Sequence, residues 1–226
     1  MFADINRFAR DTGWLHGPLL AYASSGAVLF GALLVIGWWT ARPEGGRRMA
    51  AALWAGAGTL IAVAANQPLV NSVREARPYT DHPAILVLAS RSSDYSFPSD
   101  HAVMAGAVAA GLWLVNRRLA TVATVAALLM AFTRVYVAAH YPHDVLAGLL
   151  LGAAIVVVGW WLLARPLTWL VDRLAATPLR PLFWCSSSGS AGAPPAGATA
   201  PRRPAAGNRR ARARRRTRPG AGPGSA

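Results

Sequence analysis

Three short polar segments interrupt a chain that is otherwise apolar over most of its first 165 residues. They are Arg74-Glu-Ala-Arg77-Pro78, Phe97-Pro98-Ser99-Asp100-His101, and the run from Thr133-Arg134 to His140-Tyr-Pro-His143-Asp144. Together they hold the parts of a site that handles phosphate. Arg77 and Arg134 offer forked donors that match phosphate oxygens. A helix starting near Ser99–His101 presents free backbone N–H groups and a positive dipole end, which also favour an anion. Ser99 can cap that helix and donate to an oxyanion. His101 and His140 supply the acid and the nucleophile that phosphoryl transfer needs without a metal. Asp144 follows His140 by four residues, so its carboxylate can orient the imidazole, fix its tautomer and raise the nucleophilicity of the other ring nitrogen.

Each fragment alone has a plainer reading. Pro-Ser-Asp-His is an ordinary helix start, and His140 with Asp144 is an ordinary satisfied pair at a helix end. His101, His140, His143 and Asp144 could also ligate a metal, but a pocket that holds Arg77 and Arg134 would repel a divalent cation. The expectation is therefore no metal and no cofactor. His143 gains no role in this reading beyond facing solvent or a head group. The three segments in this order are far more specific than any one of them.

Such a site needs a scaffold. Five apolar stretches, roughly 18–40, 49–70, 101–115, 119–139 and 144–163, are each read as a membrane-crossing helix. A hydrocarbon layer of about 30 Å takes about 20 residues of helix, so the third stretch is marginal. Lipid offers no partner for free backbone groups, which makes helices obligatory. The fold class expected is all-α, an integral-membrane bundle of about five transmembrane helices. Gly148 and Gly152 fall on one helix face with the small-xxx-small spacing that permits close approach.

Charge gives the orientation. All 23 basic residues are Arg. Arg42, Arg47 and Arg48 lie between the first two stretches, Arg117 and Arg118 between the third and fourth, and Arg165, Arg173 and Arg180 after the fifth. Positive residues favour the cytoplasm, so the three polar segments are expected on the outer face and the C-terminal tail inside. Nine Arg fall between 202 and 218 with no acid among them. That tail can be drawn to anionic lipid, and with no interleaved aromatics it gives no sign of specific nucleic-acid binding. The expected organisation is an interfacial segment over 1–17, a transmembrane domain over 18–165, a juxtamembrane amphipathic segment over 166–184 and a disordered Arg-rich tail over 185–226. In the first segment Phe2, Ile5, Phe8 and Trp14 are expected against lipid. Cys185 is the sole cysteine, which excludes an intrachain disulfide.

The motifs resemble those of the type 2 phosphatidic acid phosphatase (PAP2) superfamily, in particular its bacterial undecaprenyl-diphosphatase branch associated with bacitracin resistance. Arg77-Pro78 matches the end of the first motif and Pro98-Ser99-Asp100-His101 the second. Thr133, Arg134, His140 and Asp144 match the third with its full spacing. The resemblance covers roughly residues 50–163. It implies a PAP2/haloperoxidase-like helical core and removal of a phosphate from a polyprenyl diphosphate at the outer face of the bacterial cell membrane. It further implies that His140 attacks phosphorus, Asp144 orients it, His101 protonates the leaving oxygen, and Arg77, Arg134 and Ser99 hold the phosphate. Val70 stands where the family's first motif carries Lys, and Arg74, one helical turn before Arg77, is the candidate to supply the missing charge. Thr133 replaces Ser. Phosphatidic acid, phosphatidylglycerol phosphate or another lipid phosphate is the alternative substrate. A non-enzymatic anion transporter is the reading from another class, and the paired repeats common in transporters are not visible.

Overall fold

A computed structural model describes residues 1–178 and 180–184. The Arg-rich tail and Cys185 lie outside the described residues. Every regular element among those described is helical: α1 (Phe2–Asp11), a single 3-10 turn (Gly13–Leu15), α2 (His16–Ala41), α3 (Gly46–Val73), α4 (Pro78–Asp81), α5 (Asp100–Trp113), α6 (Arg117–Tyr136), α7 (Pro142–Ala175) and α8 (Arg180–Phe183).

Local sequence sets the helix boundaries. Gly45 takes a left-handed φ of 99°, which only glycine adopts without strain, and turns the chain from α2 into α3. The Asn116 side chain accepts from the backbone N–H groups of Arg118 and Leu119 at 3.0 and 3.3 Å and so starts α6. Pro142 occupies the first turn of α7, where its missing N–H costs nothing.

Four helical segments are long and apolar enough to cross a membrane: 13–41, 46–81, 117–136 and 142–175. The expected third span, α5, has 14 residues and at 1.5 Å per residue extends only about 21 Å. It is the central helix, packed against α3, α6 and α7, so protein rather than lipid surrounds it. The approach of α5 to α7 is backbone to backbone. A side chain at Gly106 would overlap the backbone of Leu149, one at Gly148 the carbonyl of Ser99, and one at Gly152 the backbone of Val103 and Ala107. The Gly148/Gly152 face thus meets the segment that begins with Ser99. Large apolar side chains point outward along the long helices, among them Val28, Val35, Leu60, Val125, Leu150 and Trp161, as a lipid-facing bundle requires.

Two extents differ from expectation. Helix α7 continues through Pro166 to Ala175, so much of the expected juxtamembrane segment is the last part of a single long helix. At the N-terminus Phe8 and Trp14 are exposed, but Phe2 and Ile5 pack on the protein instead of facing outward. The cause is Asn6, buried in the middle of α1. Its amide donates to the carbonyl of Leu86 at 2.7 Å and accepts from the Leu86 N–H at 3.1 Å, which rotates the neighbouring apolar residues inward.

Candidate active site

The ends of α3, α5, α6 and α7 meet under the long connection between α4 and α5. A cavity of about 660 Å³ opens there. Arg77, His101, Arg134 and His140 all line it, with Gln67, Val70 and Asn71 of α3, Leu20, Ala23 and Ser24 of α2, and a roof that runs from Ala89 to Tyr95. The connection is tied down by the N–H groups of Leu88 and Ala89, which donate to the Val137 carbonyl at 3.3 and 3.1 Å.

His140 sits just past α6. Ala138 takes a left-handed φ of 61°, and the N–H groups of Ala139 and His140 return to the Arg134 carbonyl at 3.1 and 3.3 Å. This tight turn swings the imidazole back toward Arg134 and buries it to 3% exposure. Its Nδ1 lies 2.8 Å from the Ser96 carbonyl. A carbonyl can only accept, so Nδ1 carries the proton. Its Nε2 lies 3.4 Å from Arg77 Nη1 and 3.4 Å from Arg134 Nη2. A guanidinium can only donate, so Nε2 keeps its lone pair. The unprotonated nitrogen therefore points between two cations. Burial pushes the His140 pKa down, and Arg134 and Arg77 add to this against an opposing pull from Asp144.

Asp144 is fully buried behind His140. Its Oδ2 is 3.5 Å from His140 Nδ1, too long for a strong hydrogen bond. The same oxygen accepts a short hydrogen bond from the Ser96 hydroxyl and one of 2.8 Å from the Tyr141 N–H. Orientation of the imidazole by Asp144 thus runs largely through Ser96, whose hydroxyl binds the carboxylate and whose carbonyl binds the ring. Sequence reading missed Ser96. It lies two residues ahead of the Pro-Ser-Asp-His segment, in a Ser-rich loop where no spacing distinguishes it.

Arg77 is fixed at three points: Nε donates to the Asp94 carbonyl at 2.9 Å, and Nη1 reaches both the Ala139 carbonyl at 3.0 Å and His140. Pro98 to Asp100 are held from α3. The Asn66 amide donates to the Pro98 carbonyl at 3.1 Å and to Asp100 Oδ1 at 2.7 Å, and Gln67 donates to the same oxygen at 2.9 Å. These two amides inside an apolar helix were the visible but unread signal for that contact.

Two expected residues behave differently. Ser99 occupies the N-cap position of α5, but its hydroxyl makes no capping bond. It is buried without a hydrogen-bond partner among the described residues, as is Arg134 Nε. Arg74 is not brought to the cavity wall. It ends α3 in a left-handed conformation, and its Nε turns back to the Asn71 carbonyl at 3.0 Å. The metal set considered from sequence is also divided. His101 and His140 face the cavity, whereas His143 lies against Glu75 and the far side of Asp144.

Residues 51–167, more than half of the chain and including Arg77, Ser96, His101, Arg134, His140 and Asp144, match the PAP2 superfamily. The chain belongs to that superfamily. As a PAP2 protein it is 27% identical to undecaprenyl-diphosphatase BcrC of Bacillus subtilis over 161 residues, 69% of this chain and 80% of that one. It is 38% identical to decaprenylphosphoryl-5-phosphoribose phosphatase of Mycobacterium tuberculosis over 109 residues, 48% of this chain and 59% of that one. To an undecaprenyl-diphosphatase of Sulfolobus acidocaldarius it is 36% identical over 78 residues, 34% of this chain and 38% of that one. No solved structure matches the chain significantly.

Proposed function

We propose that this PAP2 protein hydrolyses a polyprenyl diphosphate to the monophosphate through a phosphohistidine on His140, at the membrane face away from the cytoplasm. One observation carries the reading. The lone pair of His140 Nε2 faces a polar cavity between Arg77 and Arg134, each 3.4 Å away. A terminal phosphate seated on those guanidiniums has its phosphorus in front of the nucleophile.

In the first step Nε2 attacks phosphorus, the bond to the bridging oxygen breaks, and His101 gives that oxygen a proton as the lipid monophosphate leaves. In the second step His101 takes a proton from water, the hydroxide attacks the phosphohistidine, and inorganic phosphate and free His140 are restored. Arg77 and Arg134 stabilise the charge on the equatorial oxygens. The Ser99 hydroxyl and Arg134 Nε are further buried donors at this end of the bundle. Ser96 and Asp144 keep the proton on Nδ1 and stabilise the cation that forms as Nε2 attacks.

The undecaprenyl-diphosphatases among the relatives support the polyprenyl substrate, as does a wall that includes Leu20, Ala23 and Val70 of the two neighbouring apolar helices. Sidedness rests on Arg placement. The turn with Arg42, Arg47 and Arg48, the start of α6 with Arg117 and Arg118, and the end of α7 with Arg173 lie at the opposite helix ends from the cavity, and such residues favour the cytoplasm.

A second reading keeps the chemistry and changes the substrate to a lipid-linked sugar phosphate, with the sugar hydroxyl oxygen as the leaving group. The serine-lined roof of Ser90, Ser92 and Ser93 favours it, and so does the mycobacterial relative. Phosphate release by the purified protein in detergent, from a polyprenyl diphosphate, a polyprenyl-linked sugar phosphate and phosphatidic acid, decides between them. Fastest turnover of the diphosphate is expected. Release from either of the others but not from the diphosphate overturns the choice.

A further inference from the structure

Asp144 has two faces. Its Oδ2 serves Ser96 and the Tyr141 N–H, as described. Its Oδ1 is buried with no hydrogen-bond partner among the described residues, on a carboxylate that is itself fully buried. Within 3.0 Å of that oxygen lies Nε2 of His143, and the same nitrogen is 2.8 Å from Glu75 Oε1. All three donor atoms fall within 4.8 Å of one another. Neither Glu75 nor His143 lines the cavity.

We propose that Glu75, His143 and Asp144 form a binding site for a zinc-class divalent cation on the flank of the His140–Asp144 pair, and that its occupation inhibits the enzyme. A ring nitrogen between two carboxylate oxygens carries at most one proton, so it cannot hydrogen-bond fully to both. Two carboxylates and a neutral imidazole make a set of charge −2, which a dication neutralises. An imidazole donor selects zinc and its neighbours over magnesium or calcium, which prefer all-oxygen sets. Bonds of about 2.0–2.2 Å to a tetrahedral ion separate donor atoms by about 3.3 Å, so the two contacts to His143, now 2.8 and 3.0 Å, must each open by a few tenths of an ångström. Glu75 and His143 can supply this, since their side chains are 29% and 58% exposed. The His143 ring is already oriented, stacked on Tyr141 at 5.4 Å and 10° and faced by Phe97 at 5.9 Å. Arg77 and Arg134 approach His140 through its Nε2, on the cavity side, so the repulsion that argues against a metal in the cavity is weaker here.

A cation on Oδ1 withdraws charge from Asp144. That weakens its hold on Ser96 and its stabilisation of the cationic imidazole that forms when Nε2 attacks. Inhibition therefore rests on the phosphatase reading, whereas binding does not. The test uses the full chain in detergent, stripped with EDTA and titrated with zinc chloride by calorimetry, alongside phosphate release. Wild type is expected to bind one zinc at micromolar concentration or tighter and to lose at least tenfold in activity, with EDTA restoring it. Magnesium at the same concentration is expected to do neither. Glu75→Gln and His143→Ala are each expected to weaken zinc binding at least tenfold and to keep their activity at zinc concentrations that silence wild type. The near-isosteric Glu75→Gln alone decides the matter if His143→Ala does not fold. Unchanged zinc affinity in Glu75→Gln, or no binding to wild type, overturns the site. Binding without loss of activity overturns the inhibition. Zinc binding that needs Glu75 in a protein with no phosphatase activity leaves the site standing and overturns the function instead.

Discussion

Replacing Ser96 with Ala removes one hydroxyl and nothing else from the site. The Ser96 carbonyl, which takes the Nδ1–H of His140, remains. What goes is the short hydrogen bond to Asp144 Oδ2, one of two that this buried oxygen accepts, the other coming from Tyr141. A hydrogen bond to a charged group contributes about 1.5–3 kcal/mol. The carboxylate matters most when His140 turns cationic during attack, so the loss falls on the transition state. At 1.36 kcal/mol per factor of ten, the rate constant should drop about 10- to 150-fold. Ser96 is not among the residues lining the cavity, so substrate binding should hardly change. Steady-state phosphate release from a polyprenyl diphosphate should therefore show a lower kcat at nearly constant KM in Ser96→Ala, with Ser96→Thr recovering part of it. A Ser96→Ala enzyme within twofold of wild-type kcat, or one in which only KM rises, would refute the indirect link between Asp144 and His140.

Three further outcomes follow from the geometry. The His140 pKa is held below its ordinary 6.5, by burial first and then by Arg134 and Arg77. Protonation removes the nucleophile, so the acid limb of a kcat/KM profile should lie below pH 6.5, and Arg134→Gln should move the limb upward; an acid limb above 6.5 contradicts this. Arg74→Ala should change kcat and KM less than twofold, because its guanidinium bonds its own helix rather than the cavity, whereas Arg77→Ala should lose about 10²–10³ in kcat. Gly152→Val should lower the thermal midpoint in detergent, since overpacking costs about 1–3 kcal/mol and the added carbon meets the backbone of Val103 and Ala107; an unchanged midpoint would mean that α5 and α7 can separate freely.

The residues brought to the cavity were legible because their chemistry is written in types and spacing. The step from Arg134 to His140 to Asp144 spans one turn between two helices, and local geometry carries it. Ser96 was not legible, because it reaches Asp144 only after the α4–α5 connection is pinned to the Val137 carbonyl. That contact joins segments about 50 residues apart, and no local pattern encodes it. Arg74 looked equivalent to a missing cation at one turn from Arg77, but the end of α3 falls between them and turns its side chain back. Helix α5 forms where the third, marginal stretch was expected. A helix wrapped by α3, α6 and α7 need not match the thickness of lipid. The inward faces of Phe2 and Ile5 were set by one buried amide, Asn6, whose partner at Leu86 lies 80 positions away.

The central claim is that His140 Nε2 forms a bond to phosphorus. Rapid quenching with a polyprenyl diphosphate labelled in its terminal phosphate, followed by peptide mapping, measures it directly. The account predicts an acid-labile, base-stable phosphate on His140 that turns over with the reaction and is absent in His140→Ala. Label that persists in His140→Ala, or turnover at the wild-type rate in that variant, would contradict it.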